Sequence, residues 1–335
     1  EADQVMLAPG SKPLLFALMS ALPGDVVLPV PSWVTYAAQA ALTGKRVVRV
    51  PVPAAAGGVP DPDVLEAALA DARAAGADPG VLVLTVPDNP TGTVADADTV
   101  AQVCRTAREH GLAVVSDEIY RDLAEHEPTS PATLLDDRVA LTGGLSKSVA
   151  LGGWRIGFVR TPATDWGERL RDRLVGVASE VWSSLATPMD AVAAYVFAEP
   201  DVVTARVAAA RRLHLAVSAA MYEVLADAGA TCRRPTAAFY LYPDLEPLRD
   251  AFARHGARSA AEAAGLLLDR YGIGVLPGSA FGDDPQALRF RVATSLLYGD
   301  GEQRLEALHS DDPASLPWIA DTLDIVRAAL HDLAG

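Results

Sequence analysis

Only two cysteines occur in the 335 residues, Cys104 and Cys232, far apart and in no motif. No disulfide framework can be built from them, and so sparing a use fits a reducing, cytoplasmic setting. The six histidines are scattered singly, and without a clustered ligand set no metal site is expected. Basic residues are also short: 28 Lys and Arg against 43 Asp and Glu leave a net charge of −15. That balance argues against nucleic acid or an anionic membrane as partner. No uninterrupted apolar run is long enough to span a bilayer, no secretory signal pattern opens the chain, and no internal repeat is visible.

What is present is a regular alternation of short apolar runs with helical stretches. The segments 26–28, 47–50, 81–84, 113–116, 139–142 and 156–159 read as strands. Helical patterns lie between them: one opens at Asp61-Pro62, a good N-cap and N1 pair, and another covers 97–110. Such alternation predicts an α/β fold with a doubly wound, mostly parallel sheet. A long amphipathic stretch, 202–228, leads into the remainder, and a loop at 311–317 precedes a final helix over 318–333. The segment 54–62, rich in Ala, Gly and Pro, reads as a loop and not as a linker. A chain of this length buries a substantial core, and the expected division is a large domain over 1–200 and a smaller α+β domain over 201–335.

Several segments carry residues suited to chemistry. Lys147 stands in Gly143-Gly144-Leu145-Ser146-Lys147, with Arg155 eight positions on; this sets an amine nucleophile among small, backbone-exposing residues near a fixed guanidinium. The Pro9-Gly10-Ser11-Lys12 turn precedes Leu14, Leu15, Leu18, Met19 and Leu22 at helical spacing. A helix opening there presents free N–H groups to a phosphate, although Ser11 is also an ordinary N-cap. Asp117 ends the 113–116 strand, where open α/β sheets place ligand contacts; a helix N-cap role for Ser116 or Asp117 is the plain alternative. Asn89-Pro90-Thr91-Gly92 follows the 81–84 strand and is good turn chemistry by itself. Trp33 suits either a core or the face of a planar ring. Arg289 and Arg291 sit in an apolar, strand-like run, where a buried arginine needs an anion, and a substrate carboxylate is a natural bidentate partner.

In this order the segments 9–12, 31–36, 88–93, 116–120, 146–157, 238–243, 276–282 and 289–295 resemble the class I/II aminotransferases, pyridoxal 5′-phosphate (PLP) enzymes of fold type I. The resemblance covers nearly the whole chain and implies an amino acid and a 2-oxo acid as substrates of a ping-pong reaction. It implies that Lys147 forms the Schiff base with the cofactor and shuttles the substrate's proton, its pKa depressed by burial near Arg155. Asp117 would pair with the pyridine nitrogen, Asn89 and Tyr120 would bond the ring's phenolic oxygen, and Trp33 would stack on the ring. Gly10, Ser11, Lys12, Ser146 and Arg155 would hold the phosphate. Asn89 and Trp33 would also border the substrate, whose α-carboxylate would be bound by Arg289. Strand positions two apart share a side, so the preference for Arg289 over Arg291 rests on motif alignment. A two-fold homodimer with sites at or near its interface is also implied.

Three departures from the family pattern stand out. Residues 150–153 read Ala-Leu-Gly-Gly where a methionine and a threonine are common, and Asp88 replaces a commoner Asn. The chain also starts almost at the phosphate turn, where family members carry several dozen earlier residues, so that either the gene product is longer or the site is unusually open. These departures keep a second outcome in view: elimination, cyclisation or oxidation of an amino acid with the same cofactor. A non-catalytic effector domain is the third, and the retained Lys147 argues against it.

Overall fold

The computed structural model describes residues 2–53 and 56–335, so residues 54 and 55 of the expected 54–62 loop lie outside the described residues. The predicted strands all form: β2 (Asp25–Val30), β3 (Val47–Pro51), β4 (Pro79–Thr85), β5 (Ala113–Asp117), β6 (Val139–Gly144) and β7 (Ile156–Arg160). A further strand, β1 (Val5–Pro9), joins them in the order β1-β7-β6-β5-β4-β2-β3. The pairs β2/β3, β2/β4, β4/β5 and β5/β6 are parallel, whereas β7 runs antiparallel to both β6 and β1. The β1 segment escapes a reading by pattern because it is a short edge strand ending in proline, with little burial to impose a period.

Period-two alternation explains the layering. Along β4, Val81 and Val83 pack with Leu14 and Leu18 of α1 (Ser11–Ala21) and Leu170 and Leu174 of α5 (Asp165–Val181). Leu82 and Leu84 face the other way, onto Leu65 and Leu69 of α3 (Pro62–Ala74) and Val100 and Val103 of α4 (Ala97–Glu109). A central strand covered on both faces must be apolar where it is covered, as this one is from Val81 to Leu84. The helix starts are set locally: the Asp61 carboxylate accepts from the backbone N–H groups of Asp63 and Val64 with Pro62 at N1, and Asp96 accepts from Thr99.

The 202–228 stretch is one 27-residue helix, α7 (Asp201–Asp227), preceded by α6 (Thr187–Phe197). Leu213, Val217 and Met221 of α7 enter a separate core with Phe252, Leu267, Phe290, Leu323 and Leu330. That core supports a small antiparallel sheet, β8 (Tyr240–Leu241), β10 (Phe290–Ala293) and β9 (Leu276–Pro277), in the order β8-β10-β9. The last helix, Pro317–Ala334, matches the expected 318–333. Tyr120 and Leu123, just past β5, pack into this second core and tie it to the carboxyl ends of the large sheet. From β2 the chain turns outward to β3, and from β4 it turns the opposite way to β5, so a crevice opens at the carboxyl ends of these strands.

Candidate active site

One cleft of about 540 Å³ lies in that crevice, lined by Ser11, Lys12, Trp33, Asn89, Asp117, Tyr120, Ser146, Lys147 and Arg155, all anticipated from sequence. Gly10 occupies the N-cap of α1 at φ +94° with no side-chain capping bond, so Ser11 is the first helical residue and not the cap expected as its plain role. The first-turn N–H groups of α1 therefore have no side-chain cap, the condition an anion site needs. Any Cβ on Gly10 would run into the Arg155 guanidinium, which makes glycine necessary for contact as well as for φ. Arg155 is itself left-handed, φ 55° and ψ 56°, and donates through Nη1 to the Gly152 carbonyl at 2.8 Å. Lys12 Nζ sits 5.2 Å from the centroid of the Trp33 ring, which meets Tyr36 edge-to-face.

Asp117 closes β5 between Thr85 on β4 and Thr142 on β6. Its Oδ2 accepts from the Tyr36 hydroxyl at 2.8 Å, and that hydroxyl also bonds Thr85 Oγ1 at 2.8 Å. Burial raises the Asp117 pKa to about 6, against the lowering effect of the Tyr36 bond. The alternative role as a helix cap does not hold for Ser116, whose hydroxyl donates to Glu118 Oε1 at 2.9 Å. Nor does it hold for Asp117, since the next helical turn, Arg121–Leu123, has Tyr120 at its N-cap.

The Asn-Pro-Thr-Gly segment is both a turn and part of the site. The Gly92 N–H donates to the Asp88 carbonyl at 3.1 Å, and the buried Asp88 carboxylate takes Thr91 N–H at 3.2 Å and Thr91 Oγ1 at 2.5 Å. Asn89 Nδ2 donates to the Tyr120 hydroxyl at 3.3 Å, and Asn89 Oδ1 accepts from Arg291 Nη1 at 3.2 Å. Arg291 lies over the rings of Tyr240 and Phe281, 4.7 and 4.9 Å from their centroids, and its buried Nε has no hydrogen-bond partner among the described residues.

The geometry treats the two arginines differently. Arg289 is absent from the cleft lining; its Nε donates to Asp244 at 2.9 Å and its Nη1 to both oxygens of Asp283 at 3.0 and 3.2 Å. Two carboxylates already satisfy that fork. Arg291 lines the cleft and keeps an unpaired donor. Arg289 lies just before β10 and forms an isolated bridge with Asp244.

Lys147 follows β6, with Nζ 5.7 Å from the centroids of both Tyr120 and Phe239. Its pKa is lowered, first by burial and then by Arg291; Asp117 opposes, and Arg155 adds a smaller push downward. The expected dependence on Arg155 is thus second to Arg291. Tyr36, Thr85 and Tyr240 are cleft residues that sequence reading left without roles. Tyr36 and Tyr240 stood inside quoted motifs, but only contacts across 81 and 120 positions give them a purpose. A second cavity of about 400 Å³, bordered by Met221, Leu225, Leu267 and Ile325, has no charged side chain in its lining and offers no comparable chemistry.

The family model described as aminotransferase class I and II matches residues 1–296. The chain is 30% identical over 316 residues to an aspartate aminotransferase of Geobacillus stearothermophilus, covering 88% of this chain and 73% of that protein. An arginine–pyruvate transaminase of Pseudomonas aeruginosa is 33% identical over 292 residues, 84% of this chain and 68% of that one. The solved structure of the Thermus thermophilus aspartate aminotransferase with maleate superposes with a TM-score of 0.78 at 27% identity, covering 99% of this chain and 75% of that chain.

Proposed function

The chain belongs to the class I and II aminotransferases, and from that membership we propose that its cleft holds PLP on Lys147 and binds the α-carboxylate of the reacting amino acid on Arg291. It is a PLP-dependent aminotransferase; the residue roles below are our reading. The observation that carries it is the convergence of Asp117, Lys147 and Arg291 on one cleft at the strands' carboxyl ends.

The donor set fits the cofactor by charge. A phosphate carries about two negative charges, which Lys12 and Arg155 balance beside the uncapped first turn of α1 and the Ser11 and Ser146 hydroxyls. Asp117 matches a protonated ring nitrogen, Arg291 matches a substrate carboxylate, and Lys147 is left to act as a neutral amine. When bound, PLP supplies an aldehyde that captures amines and a cationic ring that accepts an electron pair.

This chain's side chains do the remaining work. Lys147 must be unprotonated to attack, and burial with Arg291 and Arg155 nearby lowers its pKa in that direction. Asp117, raised to about 6 by burial, binds a ring N–H more strongly than an exposed carboxylate does. Asn89 and Tyr120 offer hydrogen bonds to the phenolic oxygen, and the half-buried Trp33 offers a ring face. The planar fork of Arg291 would hold the substrate carboxylate and so orient the α-carbon in the cleft. Lys147 Nζ then serves as the base that takes the α-proton.

The wider reading follows from the same membership. Residues 1–200 form the PLP-binding unit and 201–335 the smaller one, supported by the seven-stranded sheet ending at Arg160 and the three-stranded one starting at Tyr240. The enzyme is a homodimer, supported by α6, which leaves Tyr195 and Phe197 56% and 44% exposed. Its location is cytoplasmic, supported by two free cysteines, one buried and one half-buried. No described helix is long and apolar enough to cross a membrane, and the charge of −15 disfavours nucleic acid. Rapid mixing of the loaded enzyme with a panel of amino acids tests the function. A substrate bleaches the visible band of the cofactor and releases its oxo acid; no bleaching by any amino acid, with the cofactor fixed on Lys147, would overturn the reading.

A further inference from the structure

Tyr240 touches two functional side chains at once, through different parts of itself. Its hydroxyl lies 3.1 Å from the Tyr120 hydroxyl, and the two rings meet edge-to-face with centroids 5.7 Å apart. The face of the same ring carries the Arg291 guanidinium at 4.7 Å. The residue is 5% exposed and lines the cleft.

The backbone around it leaves little freedom. Tyr240 pairs with Ala293 on β10, two residues past Arg291. Its carbonyl lies so close to Gly92 that any Cβ there would collide with it, and the Gly92 carbonyl accepts from the N–H groups of Thr236 and Ala237 at 2.9 and 3.0 Å. Ala238 is held in the left-handed region at φ 55°, with its N–H on the Leu123 carbonyl at 3.1 Å. Residues 236–240 are therefore clamped between the turn that bears Asn89 and the strand that bears Arg291.

The hydroxyl has a specific consequence for Tyr120. Arg291 bonds Asn89 Oδ1, which fixes the amide so that Nδ2 points at the Tyr120 oxygen. A hydroxyl oxygen accepts at most two hydrogen bonds. Either hydroxyl can donate across the Tyr120–Tyr240 contact; with Asn89 in one acceptor position and Tyr240 as the donor into the other, the Tyr120 proton is left to point into the cleft. Burying the Tyr240 hydroxyl without a bond would be unfavourable, and Tyr120 is where that bond goes.

We propose that Tyr240 is a positioning residue with two separable duties: its hydroxyl aims the Tyr120 proton at the cofactor, and its ring face seats Arg291 for the substrate carboxylate. The proposal rests on the reading above in which Tyr120 bonds the cofactor's phenolic oxygen and Arg291 the carboxylate.

The test uses the loaded enzyme and four variants: Tyr120→Phe, Tyr240→Phe, their combination, and Tyr240→Leu. One readout is the pH midpoint of the cofactor's visible absorbance band, and the other is the affinity for propionate, a carboxylate with no amine to react. A donor at the phenolic oxygen draws on the electron pair that would otherwise retain the neighbouring proton, so losing it raises the midpoint. Tyr120→Phe is expected to raise it, Tyr240→Phe to raise it by part of that amount, and the combination to match Tyr120→Phe alone, because the second hydroxyl acts through the first. Tyr240→Phe keeps the ring and leaves propionate binding unchanged, whereas Tyr240→Leu weakens it roughly threefold to thirtyfold, the range of a cation–ring contact. A Tyr120→Phe midpoint equal to the parent's overturns the underlying reading of Tyr120. A Tyr120→Phe shift that Tyr240→Phe does not share, or additive shifts in the combination, overturns the hydroxyl's duty alone. Unchanged propionate affinity in Tyr240→Leu overturns the ring's duty, and the presence of the visible band verifies that this variant has folded.

Discussion

Replacing Asp117 by Asn separates what this carboxylate costs the fold from what it contributes to the loaded enzyme. Asp117 is 2% exposed, and burial raises its pKa from 3.8 to about 6 despite the Tyr36 hydrogen bond. A folded-state pKa above the unfolded one means that the unfolded chain gives up the proton first. The associated stability is then complete below about pH 4 and is lost as pH rises through about 6. Roughly two pKa units correspond to about 3 kcal/mol. Cofactor-free Asp117→Asn protein keeps a carbonyl for the Tyr36 hydroxyl but cannot ionise. It is expected to equal the parent near pH 4 and to exceed it by up to about 3 kcal/mol at pH 8. Asp88, raised by burial to about 7, adds a fall in the same direction to both proteins and cancels from the comparison. The loaded enzyme is expected to respond in the opposite sense. Losing one partner of a desolvated pair costs about 3–5 kcal/mol, so turnover should drop roughly 100-fold to 5000-fold. Urea denaturation of the cofactor-free proteins at pH 4, 6 and 8, beside steady-state turnover of the loaded ones, gives both numbers. An Asn variant no more stable than the parent at pH 8 refutes the desolvation argument, and near-normal turnover refutes the pairing with the ring nitrogen.

Borohydride reduction followed by peptide mapping should place the pyridoxyl group on Lys147; label on another lysine would remove the central assignment. Arg291→Lys keeps charge but loses the fork, and is expected to lower kcat/KM by about 1.5–3 kcal/mol, the worth of a charged hydrogen bond. Arg289→Lys, which disturbs only the contacts to Asp244 and Asp283, should be milder in steady-state kinetics; the opposite ranking would return the carboxylate to Arg289. Analytical ultracentrifugation at assay concentration is expected to give a dimer, and a fully active monomer would contradict the proposed assembly.

The sequence by itself determined the layered fold and most of the cleft. Leu82 and Leu84 alternate with Val81 and Val83 because a strand sends neighbours to opposite faces, and both faces of β4 are covered. Asp61-Pro62 marks a helix start because capping is a local interaction. Short motifs could therefore bring Ser11, Asn89, Asp117, Lys147 and Arg155 to one site. Tertiary structure alone decided three matters. It placed β1 at the edge beside an antiparallel β7, where little burial leaves no pattern to read. It made Gly10 the helix cap, because Arg155 approaches from 145 positions away and leaves no room for a side chain. It also gave different surroundings to Arg289 and Arg291, which share composition, neighbourhood and charge. Asp244 and Asp283 reach Arg289 from other segments, while Arg291 is left among Asn89, Tyr240 and Phe281 with a donor unpaired. An arginine's role is set by which anions it has already met, and those lie far away in the chain.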